Sequence, residues 1–118
     1  TLLTALSAIA SQQASPTKTT MEKVRQILDY AASQEEAVLT YKASKMILAV
    51  HSDAGYLNEP EARSRAGGHF YLSTDENFPP NNGAILNVAQ IIKHVMSLAA
   101  EAELGALFLN AKEAIYIR

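Results

Sequence analysis

Three carboxylates in this sequence stand where they could hold a metal ion: Asp53, Glu101 and Glu103. Asp53 follows the apolar run Met46–Val50 and precedes Ala54-Gly55. A carboxylate at the end of a buried central strand is a common ligand position in α/β sheets. An Asp before a turn can equally serve the turn itself, so local chemistry leaves both roles open. Glu101 and Glu103 lie two apart, about 200° around a helix, so at most one faces a packed neighbour. Glu103 shares a face with Ala99, Ala100, Ala106 and Leu107. A carboxylate on such an apolar face needs a partner. Acids in the first two turns of a helix also complement its dipole, so this position too has two readings.

The remaining polar groups have plainer readings. His51 lies two residues before Asp53 on the same strand face and could assist it, or could be a partly buried strand histidine. His69 and His94 have no ligand spacing to each other or to His51. Lys42, Lys45, Arg63 and Arg65 could touch a phosphate backbone or line a solvated loop. Gly67-Gly68 lacks the Lys and Ser/Thr of a phosphate-binding loop, and suits a bulge or a close backbone approach.

The elements that must position these groups follow from periodicity. Residues 2–12 carry apolar residues at 3–4 spacing and predict a short helix. Ser15-Pro16 breaks it, Thr19 with Glu22 forms a capping-box pattern, and Met21, Val24, Ile27, Leu28 and Ala31 make one stripe of a helix over 17–32. Four strands are predicted next: 37–41, 46–50, 67–73 and 84–92. Asn58 to Arg65 reads as a loop, and Pro79-Pro80-Asn81-Asn82-Gly83 as a turn. Ser97 is placed to cap a long Ala-rich helix reaching about Ile117. The order predicts an α+β domain: an antiparallel meander with the last helix packed on it and two helices N-terminal to that core.

Bulk composition limits the function classes. The chain has 118 residues, enough for one ordinary domain, and 48% apolar content. Its net charge of −2 provides no strong basic field for autonomous nucleic-acid binding. There are no cysteines, which excludes disulfides and Cys-based zinc sites. No apolar run approaches the roughly 18 residues that span a bilayer. The start lacks Met and a basic stretch and does not read as a signal peptide, so an intracellular setting is expected.

Three motifs occur in order: His51-Ser52-Asp53-Ala54-Gly55-Tyr56, then Arg63-Ser64-Arg65-Ala66-Gly67-Gly68-His69, then Ser97-Leu98-Ala99-Ala100-Glu101-Ala102-Glu103-Leu104. Together they resemble the ribonuclease H region of LTR-retrotransposon polyproteins, most nearly the copia type. The stretch from Ala8 to Tyr30, with Ser15-Pro16-Thr17 before a helix, resembles the end of the reverse transcriptase and its connection. The resemblance implies a ribonuclease H-like fold in residues 35–118 after a connecting tail in 1–34. It also implies cleavage of the RNA strand of an RNA–DNA hybrid by two Mg²⁺ ions about 4 Å apart, with Mn²⁺ as a substitute. On that resemblance Asp53 and Glu103 are the catalytic metal ligands, with Glu101 the fallback. Ser52, Arg63 and Arg65 would contact the hybrid.

The implied partners are the hybrid and the neighbouring reverse transcriptase domain, in the cytoplasm or a virus-like particle. The sequence departs from the family at its end. The family's next essential Asp stands on a strand after this helix, whereas the last Asp here is Asp75, and Glu113 lies ~15 Å along the helix from Glu103. The expectation is therefore an incomplete domain without activity in isolation. An alternative is a non-catalytic remnant or interaction module that keeps the fold. An exposed apolar edge at Met46–Val50 predicts self-association.

Overall fold

The computed structural model describes residues 2–118. They divide into two compact units, Thr1–Val38 and Leu39–Arg118. The division falls four residues beyond the expected boundary after Gln34. Turn hydrogen bonds from Ser33 to Asp29, Gln34 to Ala31 and Ala37 to Gln34 extend the helical unit past its last helix.

The first unit is a helix pair, α1 (Leu2–Ala10) and α2 (Lys18–Ala32). The cap of α2 is Thr17 rather than the expected Thr19. Thr17 Oγ1 accepts from the Thr20 N–H at 3.2 Å, and Thr20 Oγ1 accepts from the Thr17 N–H at 3.1 Å. A hydroxyl three residues into the helix thus does the work that the sequence pattern assigned to Glu22. The Thr20 hydroxyl also donates to Gln12 Oε1, tying the inter-helix turn to α2.

The second unit holds strands β1 (Ile47–Glu59), β2 (Arg63–Ser73) and β3 (Ala84–Ile91), then helix α3 (Ala99–Ile117). The sheet is antiparallel in the order β1-β2-β3. The α+β class and the meander-then-helix layout are therefore present, with three strands and not four.

Residues 37–41 form no strand. Instead, Asn82 holds the neighbouring chain by its side chain: its Oδ1 accepts from the Lys42 N–H and its Nδ2 donates to the Lys42 carbonyl. The Tyr41 hydroxyl donates to the Ala84 carbonyl at 2.9 Å. Gly83 makes room for this, since a Cβ there would sit 2.7 Å from Tyr41 Cδ1 and 2.8 Å from the Thr40 carbonyl oxygen. Strand-forming residue types need a ladder partner, and this segment finds a side chain.

The predicted loop 58–65 is mostly strand. β1 runs on to Glu59 through an irregularity between Gly55 and Glu59, and a short turn, Pro60–Ala62, returns the chain into β2. The turn places Glu61 and Ala62 at φ of 62° and 54°. This left-handed pair supplies the reversal that a tight hairpin needs, although neither residue is glycine.

The core lies between α3 and the sheet. Ala102, Ala106 and Asn110 recur at four-residue spacing and are buried. Ala106 packs with Ala66 and Ile92, with Ala54, Met96 and Leu109 around them. Small residues on both sides bring helix and sheet backbones close, and the area removed from water supplies the drive.

Candidate functional site

Strand alternation sorts the polar residues onto two faces of the sheet. Ser52 faces α3, where Asn110 Nδ2 donates to its Oγ at 2.8 Å and to the Gly67 carbonyl at 2.8 Å. A Cβ added at Gly68, the partner of Ser52 in the ladder, would overlap Asn110 Oδ1. Gly68 is therefore glycine because a helix amide occupies its side-chain position. Sequence reasoning missed Asn110. A polar residue four positions beyond Ala106 on an apolar stripe was the available signal, because a buried amide requires partners.

Asp53 leaves the strand on the opposite face, away from α3. It is exposed and pairs across the ladder with Gly67, where an added Cβ would meet only Asp53 atoms, at 3.7 Å or more. The residue lies within β1 and not at a turn. Its nearest same-face neighbours form a ring cluster. His51 faces His69 across the ladder with ring centroids 6.2 Å apart, and His51 Nε2 lies 2.8 Å from the Tyr71 hydroxyl. His69 places Nε2 3.1 Å from Asn81 Oδ1 and Nδ1 3.0 Å from Asn87 Oδ1. Asn81 Oδ1 also accepts from the Asn82 N–H, which fixes that amide's orientation and makes His69 Nε2 the donor. The cluster pins the segment between β2 and β3 to the sheet, helped by Ser73 Oγ donating to the Pro80 carbonyl.

Glu103 is exposed on α3, beside the buried stripe and not within it. Glu101 has a structural job. Leu98 caps the helix without a side-chain bond, and Glu101 Oε2 accepts from the Ser97 N–H at 2.7 Å. The acid three positions into the helix satisfies the backbone N–H ahead of it, where the Ser97 hydroxyl was expected to act. Among the described residues, no three of His, Asp and Glu are grouped closely enough to hold a metal ion.

The two arginines expected at a nucleic-acid backbone are engaged within the fold. Arg65 is 6% exposed and ion-pairs through Nε with Glu59, while its Nη1 donates to the Ala89 carbonyl at 3.2 Å. Arg63 pairs with Glu61 at 2.7 Å and is 41% exposed, so it alone keeps its guanidinium at the surface. Asp75 is held by its surroundings. The N–H groups of Phe78 and Asn77 donate to Asp75 and hold it below the ordinary aspartate range, with a smaller contribution from Lys45.

No helix among the described residues is long and apolar enough to cross a membrane. No family model, curated protein or solved structure matches this chain.

Proposed function

We propose that this chain is the ribonuclease H region of a retrotransposon polyprotein, a ribonuclease H-like domain behind a helical connecting tail. One observation carries the reading: the ordered motifs fall on the elements that the resemblance requires. Ser52-Asp53-Ala54 lies in the first strand, Arg63 to His69 in the antiparallel second strand, and Glu101-Ala102-Glu103 opens the helix that packs on both. In such a domain the protein side chains position an RNA–DNA hybrid by its backbone and 2′-hydroxyls. Mg²⁺ would supply activation of water when bound in an intact site.

Here the chain's own residues support orientation better than chemistry. A second reading, a non-catalytic module that retains the fold, is favoured by one specific feature: Asp53 leaves the sheet on the face turned away from α3. The two readings separate in one assay. The chain is incubated with a hybrid labelled on its RNA strand, in Mg²⁺ or Mn²⁺, beside Asp53→Asn. The expected result is no cleavage by either protein, with hybrid binding that weakens as salt rises. Cleavage that Asp53→Asn abolishes would reject the non-catalytic reading. Equal affinity for hybrid and for duplex DNA would reject the ribonuclease H assignment. Activity appearing when the reading frame is extended through a further aspartate-bearing strand would support it.

A further inference from the structure

α3 has two apolar faces. Ala102, Ala106 and Asn110 face the sheet. At 100° per residue, a second line of Glu101, Leu104, Phe108, Ala111, Ile115 and Arg118 lies roughly opposite. Every member of that line is exposed: Leu104 is 67%, Phe108 69% and Ile115 75% accessible. Its spacing of 3, 4, 3, 4 and 3 is the seam of a helix that packs against another helix.

The order along the seam is self-complementary. Run against itself in the antiparallel direction, Glu101 meets Arg118, Leu104 meets Ile115, and Phe108 meets Ala111. Each layer then matches opposite charge with charge, branched aliphatic with aliphatic, and a large ring with a methyl. A parallel pair would set Glu101 on Glu101 and Phe108 on Phe108, which costs both charge and packing. Self-complementarity of one patch is what a two-fold interface demands.

The area is also sufficient. With Leu107 (55% exposed) beside the seam, the face offers on the order of 600 Å² per copy, about 1,200 Å² for a pair, where stable interfaces begin. A groove of about 1020 Å³ along one flank, lined by Ile91, Ile92, Met96 and Leu109, leaves space beside the seam for the second helix to seat.

We propose that two copies of this chain associate through α3 in an antiparallel, two-fold helix pair centred between Phe108 and Ala111. The partner is a second copy, and the contact is the outer seam of α3, not the free edge of β1.

Sedimentation equilibrium of the full chain over a wide concentration range tests this. The wild type is expected to dimerise. Phe108→Ala empties the central layer and Ala111→Phe overfills it, so each should weaken the dimer by about tenfold or more. The combined swap recreates the large-against-small layer in reverse and should return the dissociation constant to within about threefold of wild type. Arg118→Glu, at the helix end and outside the core, should weaken association through like charge against Glu101. Because these positions are exposed, unchanged far-ultraviolet circular dichroism should accompany each variant. A wild-type monomer throughout the range would overturn the proposal. So would a dimer indifferent to the single changes, which would point to the β1 edge, or a swap that fails to restore association.

Discussion

Substituting Gly68 by alanine should destabilise the second unit through Asn110, and a double-mutant cycle can show it. A Cβ at residue 68 overlaps Asn110 Oδ1 and comes within 2.9 Å of both Asn110 Cγ and Phe70 Cε2. The amide cannot stay and keep its bonds to Ser52 Oγ and the Gly67 carbonyl. Two hydrogen bonds at about 1 kcal/mol each, plus overpacking against Phe70, put Gly68→Ala at about 3 kcal/mol. Asn110→Ala loses the same bonds and leaves a small cavity, offset because Asn110 Oδ1 is buried without a hydrogen-bond partner. Its expected cost is about 2 kcal/mol.

The two changes interfere constructively. With Asn110 truncated, the methyl at residue 68 enters the vacated space, and the shared bonds are lost once and not twice. The double variant should therefore cost about 3 kcal/mol, some 2 kcal/mol less than the sum. Urea unfolding followed by tyrosine fluorescence provides the assay, since the chain has no tryptophan and Tyr71 is fully buried in β2. Additivity within about 0.5 kcal/mol would refute the reasoning and mean that Gly68 is required for another reason.

Three further outcomes follow from the same geometry. Ala62→Gly relieves a left-handed alanine and should raise stability by about 0.5–1 kcal/mol after the entropy of the freer unfolded chain is counted, read as a higher urea midpoint. Glu59→Gln leaves the Arg65 guanidinium buried beside a neutral amide and should cost about 3 kcal/mol, whereas Arg65→Met with Glu59→Leu should cost far less, which thermal melts of the two variants would compare. Asp75 has a folded pKa below its ordinary value, so its contribution is present above the unfolded value and is lost as pH falls through the folded one. Amide exchange at Asn77 and Phe78, corrected for intrinsic rates, should accelerate as pH drops below about 4, and Asp75→Asn should flatten that dependence.

Much of the layout was legible in the sequence. The period change after α2, the apolar run at the start of β1 and the turn signal ahead of β3 each have a local cause, so composition alone locates them. The antiparallel order followed from short connections. Local pattern could not locate the hairpin at 60–62. Glu61 and Ala62 are ordinary residues in left-handed geometry, held there because β1 and β2 pair on either side. Nor could it show that 37–41 would lack a ladder, since that depends on an Asn82 side chain some forty residues away.

The candidate site divides in the same way. Sequence by itself determined which residues could act: a carboxylate in the first strand, two at the start of the helix, and arginines between. Residue type and spacing carry that information. Only the tertiary structure decided what each can reach. Docking of α3 on one face of the sheet turned Ser52 toward the helix and left Asp53 facing away from it. Burial bound Arg65 to Glu59, and the helix start drew Glu101 to the Ser97 N–H. Those outcomes depend on which backbone lies opposite, a property of packed chains and not of neighbours in sequence.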